Sequence, residues 1–272
     1  MKNDHKFNQR YGPWAVVTGA SSGIGRGLAL KLAARGMDLV LVARSTEALK
    51  SLSDQIIAEY KVNCRVVTVD LSTYSGIVPL ATATAGLDIG LLVASAGFGT
   101  SGAFLENSIE SELQMLDVNC KSLLALTWHF GRLFARRGRG GIILLSSIVG
   151  FQGMPWASNY AATKAYVQTL AEGLRVELKP RGVDILAAAP GPTNSGFASR
   201  AGMKMGAALD ADDVAEPILN SLGRQTTVLP GMLSKVLVYA LVGLPRWARV
   251  QIMGKVMAGM TSHRRSAVAG SS

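Results

Sequence analysis

The segment from Ser146 to Tyr166 places two tyrosines on either side of one lysine, Lys164. Tyr160 precedes that lysine by four positions, so a helix would put the two side chains on one face. Tyr166 follows it by two positions and would point away. An ammonium group beside a phenol stabilises the phenolate and lowers the phenol pKa from about 10 toward neutral pH. We therefore expect Tyr160 to exchange a proton with a carbonyl compound and Lys164 to adjust its pKa.

Two serines end the apolar segment that precedes Tyr160. In a parallel sheet a hydroxyl at that point enters the crevice at the carboxyl edge, so Ser146 and Ser147 are candidates to hydrogen-bond a substrate. A Tyr-x-x-x-Lys pair also arises by chance in a chain of this composition. The alternative interpretation of Tyr160 and Lys164 is one face of an amphipathic helix that buries a salt-linked pair, and other motifs must decide between the two.

A glycine-rich turn, TGASSGIGRG, runs from Thr18 to Gly27 directly after the first apolar segment. Gly19, Gly23 and Gly25 fall between a predicted strand and a predicted helix, where the pyrophosphate of a dinucleotide rests on helix amides. A side chain there would obstruct the phosphate or strain the backbone. Such turns also serve purely conformational purposes, but the position of this one favours dinucleotide binding.

Arg44 ends the second apolar segment, where an NAD-binding site usually carries an acidic residue for the ribose hydroxyls. An arginine there pairs with the 2′-phosphate of NADP, which a carboxylate would repel. We therefore expect NADP(H) to be preferred over NAD(H), although the residue also suits a surface arginine that closes a strand. Asp70, at the end of the third predicted strand, either accepts a hydrogen bond from the adenine amino group or serves as a turn residue.

Short apolar segments alternate with longer segments of helical periodicity along the chain. The predicted strands are Trp14–Thr18, Leu39–Ala43, Arg65–Val69, Leu91–Ala94, Ile142–Ser146 and Val183–Ala189. The predicted helices are Ile24–Arg35, Thr46–Tyr60, Ser108–Arg136 and Tyr160–Lys179. Apolar strands of this kind are typical of a parallel sheet buried on both faces. The alternation predicts one α/β domain over residues 1–272, a doubly wound, Rossmann-type parallel sheet flanked by helices on both faces.

These motifs follow one another along the chain in a fixed order. They are Thr18–Gly25 (TGASSGIG), Ser147, Tyr160–Lys164 (YAATK) and Pro190–Gly191. Together they resemble the compact subclass of short-chain dehydrogenases/reductases, over about residues 12 to 230. The resemblance implies that Tyr160 is the general acid/base, that Lys164 tunes it and binds the nicotinamide ribose, and that Ser147 polarises the substrate carbonyl. It assigns Asn119 to a helix irregularity and to a water that leads protons to Lys164.

By the same resemblance, the glycine turn and the strand ends form the cofactor site. Its expected residues are Gly19, Ser21, Ser22, Gly23, Ile24, Gly25, Arg44, Asp70, Leu71, Ala96, Gly97, Tyr160, Lys164, Pro190, Gly191 and Thr193. The implied reaction is an NADPH-dependent interconversion of a carbonyl and a secondary alcohol. The alternative is an NADP(H)-binding regulatory or sensor protein without significant turnover. Such regulators typically lose the tyrosine or the lysine, and this chain keeps both.

Two positions depart from the family pattern. The segment Ala94–Gly97 reads ASAG where the family often has Asn-Asn-Ala-Gly, so Ser95 offers a hydroxyl in place of an amide. After Pro190–Gly191 the family commonly has a threonine near the carboxamide and diphosphate, and Ser195 keeps the hydroxyl there. Neither change removes a group that the reaction needs.

Loops beyond the strand ends are expected to contact the substrate. They contribute Phe98, Phe151, Met154, Trp156, Phe197, Met203 and Met205. An apolar or lipid-like carbonyl compound suits such a lining better than an anionic sugar. Several of these side chains are equally compatible with packing the loops themselves.

The formal net charge of +10 favours polyanionic ligands such as a phosphorylated cofactor, nucleic acid or an anionic membrane. The sequence carries no nucleic-acid-binding motif, so we expect no nucleic-acid partner. Its histidines His5, His129 and His263 lack ligand spacing, and we predict no metal site. The polar amino terminus and the presence of only two cysteines predict a cytoplasmic protein.

Residues 231–272 form a C-terminal extension that we predict to be amphipathic and basic. The apolar run Val236–Leu244 is too short to span a bilayer. The next segment, Arg246–Met260, spaces Trp247, Val250, Met253, Met257 and Met260 three or four residues apart. This extension either packs against the domain or a second subunit, or makes peripheral contact with a membrane. By family resemblance, the predicted helices Ser108–Arg136 and Tyr160–Lys179 pair with their counterparts in a homodimer or homotetramer.

Overall fold

A parallel sheet forms the centre of the fold, in a computed structural model that describes residues 2–73, 76–203 and 208–261. The strands are β1 (Trp14–Thr18), β2 (Asp38–Ala43), β3 (Cys64–Thr68), β4 (Ile89–Ala94), β5 (Gly140–Leu145), β6 (Val183–Ala188), β7 (Thr193–Asn194), β8 (Leu209–Asp210) and β9 (Thr227–Val228). Seven of them pair in the order β3-β2-β1-β4-β5-β6-β9, and β7 pairs with β8 separately. The order reverses between β1 and β4, the point at which doubly wound folds open a ligand crevice.

Helices cover both faces of this sheet. They are α1 (Lys2–Tyr11), α2 (Gly23–Ala34), α3 (Thr46–Tyr60), α4 (Ile77–Thr84), α5 (Ile109–Leu116), α6 (Leu123–Arg137), α7 (Ser158–Leu178), α8 (Phe197–Ala201), α9 (Ala211–Ser221), α10 (Met232–Val242) and α11 (Arg246–Met260). Helices α2, α3 and α9 pack on one face, and α4, α6 and α7 pack on the other. The predicted fold class, a doubly wound α/β domain, is therefore confirmed.

The two faces of the sheet bury separate apolar clusters, which explains the continuous apolar strands in the sequence. Val17 and Leu41 face the cluster under α2, α3 and α9. Their neighbours Val16 and Val40 face the opposite cluster, because successive side chains of a strand alternate in direction. Each central strand thus buries both of its faces.

All six predicted strands are present, with ends shifted by at most two residues. The predicted helix Ser108–Arg136 is wrong as a single α-helix, since a π-helical segment, Asp117–Ser122, separates α5 from α6. The sequence analysis also missed α1, α4, α9 and the edge strand β9. Helix α1 is mostly polar and β9 has two residues, so neither carries a strong apolar pattern.

The C-terminal extension folds into α10 and α11. Met253 and Met257 of the predicted stripe are buried against the domain, but Trp247 is 72% exposed and does not share their environment. Helix α11 packs closely on the domain at Gly254, where a Cβ would lie only 3.2 Å from Cγ of Pro155. Among the described residues, no helix combines the length and the apolar character needed to cross a bilayer.

Candidate active site

The turn between β1 and α2 is shaped to hold a phosphate group. Gly19 and Gly23 adopt left-handed backbone angles, with φ of 67° and 54°. A Cβ at Gly19 would lie 2.9 Å from the backbone of Ala96, and one at Gly23 would lie 2.6 Å from Cβ of Ser195. Ser22 is the N-cap of α2, and its side chain makes no capping hydrogen bond. The first amides of α2 can therefore donate to an anion.

Thr18 joins the ends of β1 and β4 beside this turn. Its Oγ1 accepts hydrogen bonds from the backbone N–H groups of Ser95 and Ala96, both at 3.1 Å. These bonds hold the backbone of Ala94–Gly97, the segment that departs from the family pattern, at the point where the strand order reverses. Both bonds use backbone N–H groups, so a serine at position 95, where the family often has asparagine, does not remove them.

Helix α7 carries Tyr160 and Lys164 on one buried face, as their spacing predicts. Ser147, two residues beyond the end of β5, lies close enough to Tyr160 to affect its pKa, and its hydroxyl donates to the carbonyl oxygen of Pro190 at 3.4 Å. The Lys164 ammonium donates to the carbonyl oxygen of Leu145 at 2.7 Å and lies 5.8 Å from the centroid of the Tyr160 ring. The Ser146 hydroxyl donates to the carbonyl oxygen of Lys164 at 2.9 Å, so it is engaged with α7. The structure brings the three expected catalytic side chains together.

The pKa of the Tyr160 phenol differs from the expectation drawn from the sequence. Burial raises this pKa above its ordinary value, and the neighbouring Ser147 hydroxyl opposes the rise. The spacing predicts that Lys164 lowers this pKa, whereas in the structure burial has the larger effect and the ammonium donates to the Leu145 carbonyl. Burial also lowers the pKa of Lys164 to about 8, which makes its charge sensitive to pH just above neutrality.

Asn119 lies within the π-helical segment between α5 and α6. Its Nδ2 donates to the carbonyl oxygen of Phe98 at 2.8 Å and to Oγ1 of Thr163 at 3.1 Å. Its Oδ1 accepts from the backbone N–H of Phe98 at 3.1 Å. Asn119 thereby ties the loop after β4 to α7, at the helix irregularity that the family resemblance implies.

A buried carboxylate, Glu112 of α5, holds the loop after β4 from its other side. Its Oε1 accepts hydrogen bonds from Oγ1 of Thr100 at 2.7 Å and Nδ2 of Asn107 at 2.9 Å. Its Oε2 accepts from Nδ2 of Asn159 at 2.6 Å. Glu112 therefore connects this loop to the first turn of α7, where Asn159 directly precedes Tyr160. No motif in the sequence marks this residue.

The glycine-rich turn and the side chains of Ser147, Tyr160 and Lys164 border one cavity of about 540 Å³ at the carboxyl ends of the strands. This size is typical of small-molecule sites. All of the residues expected in the cofactor site line it, and so do Ser147, Tyr160 and Lys164. Asn119 stands behind the lining, since a Cβ at Gly97 would lie 2.9 Å from its Oδ1.

The other half of the cavity is apolar. Its lining includes Phe98, Val118, Ile148, Val149, Met154, Phe197, Met203, Leu237, Met253, Val256, Met257 and Met260. Of the residues expected to contact substrate, Phe151 and Trp156 lie outside this lining, and Trp156 packs in the adjacent apolar cluster. Met205 lies outside the described residues. The sequence analysis did not assign α10 and α11 to the pocket, although the methionine spacing in α11 was the available signal.

Two arginines meet a carboxylate at the nucleotide side of the cavity. Arg44, Asp70 and Arg200 all line it. Asp70 also accepts a hydrogen bond from the backbone N–H of Ser72 at 2.9 Å, so it serves as a turn residue as well. The guanidinium of Arg200, on α8, lies 4.4 Å from the ring centroid of Phe98. Burial and Arg44 lower the pKa of Arg200, and Asp70 opposes them. The sequence analysis missed Arg200, because only the tertiary fold brings α8 to this place.

The segment after β6 is held by a residue of the C-terminal extension. The backbone N–H of Gly191 donates to Oγ of Ser234 at 2.9 Å, and Ser234 is fully buried on α10. Within the segment, the Thr193 hydroxyl donates to the Gly191 carbonyl at 3.0 Å, and the Ser195 hydroxyl donates to the Thr193 carbonyl at 3.2 Å. The sequence analysis did not find the role of Ser234.

Comparison with known proteins identifies the family. The family model described as short chain dehydrogenase matches residues 13–205. The chain belongs to the short-chain dehydrogenase family. This short-chain dehydrogenase is 34% identical over 236 residues to a 7beta-hydroxysteroid dehydrogenase of Clostridium sardiniense, with 84% of this chain and 89% of that protein covered.

Solved structures show the same similarity. A structure from a study of 7beta-hydroxysteroid dehydrogenase stereoselectivity superposes with a TM-score of 0.84 at 28% identity, covering 91% of this chain and 98% of the other. A short-chain dehydrogenase from Sphingobium yanoikuyae in complex with NADPH superposes with a TM-score of 0.79 at 31% identity, covering 89% and 95% of the two chains. The protein is an NAD(P)-dependent oxidoreductase that acts on CH–OH groups and the corresponding carbonyls.

Proposed function

We propose that this short-chain dehydrogenase interconverts a carbonyl and a secondary alcohol on a bulky, apolar, lipid-like substrate, with NADPH as the preferred cofactor. One observation carries the proposal. Tyr160, Ser147 and Lys164 converge in a cavity that has a phosphate cradle on one side and apolar side chains on the other.

The residues at the strand ends fit a dinucleotide. Gly19 and Gly23 have no room for a Cβ, because Ala96 and Ser195 approach them closely, and this tight turn leads into helix amides that no side chain caps. We assign the pyrophosphate to this turn and the nicotinamide ribose to Tyr160 and Lys164. When bound, the nicotinamide supplies or accepts the hydride.

Tyr160 exchanges the proton with the substrate. In reduction the phenol donates its proton to the substrate oxygen, and in oxidation the phenolate accepts the proton of the alcohol. Ser147 donates a hydrogen bond to the same oxygen and polarises it. Because burial raises the pKa of Tyr160, the phenol is protonated at neutral pH, which is the form that reduction consumes.

The preference for NADPH rests on the two arginines of the nucleotide side. Burial and the neighbouring Arg44 lower the pKa of Arg200, and an anion between the two guanidinium groups would relieve their repulsion. A 2′-phosphate is such an anion and accepts hydrogen bonds from guanidinium groups. The NADPH complex of the Sphingobium relative supports this assignment.

We expect Arg44→Asp to weaken NADPH binding about 10- to 100-fold, because a charge-assisted hydrogen bond contributes roughly 1.5–3 kcal/mol. The affinity for NADH should stay the same or rise. Fluorescence titration of both cofactors measures the two affinities, with Arg136→Asp on the exposed end of α6 as a control for charge. Unchanged discrimination in Arg44→Asp would show that the 2′-phosphate binds elsewhere.

The substrate class follows from the apolar half of the cavity and from the relatives. The 7beta-hydroxysteroid dehydrogenases that this chain resembles are named for a steroid substrate. We therefore propose ketosteroids and other rigid polycyclic ketones as the best substrates. NADPH oxidation with a panel of ketosteroids, long-chain ketones, small aliphatic ketones and keto sugars tests the order, and keto sugars should be the poorest.

The same assay separates an enzyme from an NADP(H) sensor. Tyr160→Phe should lower kcat about 10²- to 10⁴-fold, because it removes the proton donor, while NADPH affinity stays near the wild-type value. If the wild-type protein binds NADPH but no ketone in the panel gives turnover that depends on Tyr160, the sensor function replaces this proposal.

We also propose a cytoplasmic location. Cys64 and Cys120 are free thiols, and burial raises the pKa of each, that of Cys64 to about 11. Unpaired cysteines are usual in proteins of reducing compartments, and the raised pKa values mean that these two thiols form little reactive thiolate.

A further inference from the structure

Helix α10 is strongly apolar, and yet seven of its eleven residues are exposed. All of its residues except Ser234 and Lys235 are apolar, and Ser234 is its buried residue. Tyr239 is 67% exposed, and Met232 and Val236 are also exposed. Contiguous apolar exposure of this kind is rare on a free protein surface and marks a binding surface.

Helix α11 adds to this exposed apolar surface. Trp247, Ile252 and Val256 are exposed on it. Arg249 of α11 donates hydrogen bonds to the carbonyl oxygens of Val242 and Leu244, and these bonds join the two helices at their connection. We call the exposed apolar side chains of α10 and α11 the tail surface. They are Met232, Val236, Tyr239, Val242, Trp247, Ile252 and Val256.

The charged residues of the C-terminal extension have one sign. Residues 231–272 contain Lys235, Arg246, Arg249, Lys255, Arg264 and Arg265 and no Asp or Glu. Lysines and arginines beside tryptophan, tyrosine and aliphatic side chains are typical of helices that lie in the interface of an anionic bilayer. Interfaces between proteins are enriched in arginine and aromatic residues but depleted of lysine, so it is Lys235 and Lys255 that argue against a protein partner. The charge pattern therefore favours an anionic lipid surface over a second protein chain.

The helices of the tail surface also form the outer wall of the substrate cavity. Leu237 of α10 and Met253, Met257 and Met260 of α11 line the cavity. Val256 lines it too and is 48% exposed, so the cavity reaches the protein surface at the tail surface itself. A bilayer in contact with the tail surface would meet the cavity where an apolar substrate enters it.

We propose that the tail surface docks on an anionic lipid bilayer and that the apolar substrate passes from the lipid into the cavity beside Val256. The docking step rests on the exposed apolar side chains and on the basic side chains of the same two helices. The passage of substrate rests in addition on the function proposed above. Docking buries the apolar side chains of α10, and the basic side chains contact lipid headgroups.

Vesicle flotation of the full chain tests the docking step. Vesicles of phosphatidylcholine with phosphatidylserine should bind the protein, and pure phosphatidylcholine or high salt should weaken binding. The double variant Tyr239→Glu/Trp247→Glu should lose at least tenfold in affinity, whereas Val78→Glu, at an exposed apolar position of α4, should bind normally. Thermal unfolding of each variant verifies that it is folded.

Two results would overturn docking. The first is that the wild-type protein does not float with anionic vesicles. The second is that Tyr239→Glu/Trp247→Glu and Val78→Glu float equally well. Sedimentation of the same proteins in the absence of lipid identifies the competing occupant. If the wild-type protein self-associates and Tyr239→Glu/Trp247→Glu becomes smaller without any loss of vesicle binding, the tail surface is a contact between copies of this chain.

An activity assay tests the passage of substrate. Neither Tyr239 nor Trp247 lines the cavity, so the double variant should reduce a water-soluble ketone at the wild-type rate. It should reduce a ketosteroid dissolved in anionic vesicles at least tenfold more slowly. Equal rates for the vesicle-borne substrate would overturn the passage from lipid. If no ketone is reduced by any form, the proposed enzymatic function fails while the flotation result stands on its own.

Discussion

At the scale of residues, neighbouring side chains of the same type have different partners. Both serines line the cavity, but the Ser146 hydroxyl donates to a backbone carbonyl of α7, whereas the Ser147 hydroxyl donates to the carbonyl oxygen of Pro190 and opposes the rise in the pKa of Tyr160. Tyr160 is buried in the cavity, whereas Tyr166 is partly exposed on another side of the same helix. Direction along a strand or around a helix decides which partners each member of a pair has.

The serine pair gives a test with its own control. Ser147→Ala should lower kcat about 10- to 100-fold, because the substrate oxygen loses a hydrogen bond that strengthens in the transition state. It should lower stability less than Ser146→Ala does, because the bonds of Ser147 to Pro190 and Val149 are long, both at 3.4 Å. Ser146→Ala should lower the free energy of unfolding by about 1 kcal/mol, because a buried bond to α7 is lost. Steady-state kinetics and urea unfolding measure both effects. The opposite pattern would show that Ser146 contacts the substrate.

The buried Lys164 predicts a dependence of stability on pH. Burial lowers its pKa in the folded protein from 10.5 to about 8. Between these values the unfolded chain binds a proton that the folded protein does not, so stability rises with pH. The contribution of this residue should increase by about 3 kcal/mol across that range. The stabilisation gained at high pH disappears as the pH falls from 10.5 toward 8.

Lys164→Met should remove this component, and the exposed Lys179→Met should retain it. Urea unfolding of the cofactor-free proteins at several pH values between 7.5 and 10 measures the free energy of unfolding. Parallel pH profiles for wild type and Lys164→Met would contradict the assignment.

At the scale of elements, the active site depends on contacts that hold loops to α7. Glu112 and Asn119 fasten the loop after β4 to this helix from two sides. Neither residue is visible from local periodicity. The π-helical segment around Asn119 interrupts a helix that the apolar spacing predicts to be continuous. Positioning here comes from buried polar side chains and not from the apolar pattern of the helices.

Glu112→Ala should lower the free energy of unfolding by about 2 kcal/mol, because it removes the carboxylate acceptor of three partly buried donors, of which Asn159 keeps its bond to the backbone carbonyl of residue 112. The loop should become less ordered, and KM should rise more than kcat falls. Glu110→Ala, at an exposed position of the same helix, should have a small effect. Thermal unfolding and steady-state kinetics check both variants. An equal loss of stability in the two would mean that helix propensity, and not the carboxylate, is responsible.

Much of the framework could be predicted from the sequence. Strand β1 and helix α3 lie where their apolar patterns place them, because each element buries a face whose period is local. The turn between β1 and α2 could be predicted because its glycines adopt angles and close approaches that other residues do not fit. Arg200 and Ser234 could not be predicted, since each reaches the site through contacts between elements far apart in the chain. The pKa of Tyr160 likewise depends on burial, which spacing does not report.

At the scale of the whole molecule, α6 and α7 leave apolar side chains exposed away from the cavity. They include Leu124, Leu133, Val176 and Trp128, the last of which is 61% exposed. Family resemblance implies that these helices pair between subunits. We expect a homodimer or homotetramer in which this surface is buried.

Trp128→Glu should shift the oligomer toward smaller species, because a carboxylate would be buried in the pairing surface. Analytical ultracentrifugation over a range of concentrations measures the shift. Leu105→Glu, at an exposed position in the loop before α5, serves as the control and should sediment like the wild type. If Trp128→Glu keeps the wild-type mass, the subunits pair through another face.

The hydrogen bond from Gly191 to Ser234 connects the cofactor segment to α10, and α10 belongs to the tail surface. A ligand that displaces Gly191 would therefore shift Ser234 as well, and a ligand that displaces α10 would shift Gly191. Binding energies linked in this way are reciprocal, so a lipid surface that tightens NADPH binding must itself be bound more tightly, by the same factor, when NADPH is present. Loading with cofactor would then regulate where the protein resides, and its location would regulate its affinity for cofactor.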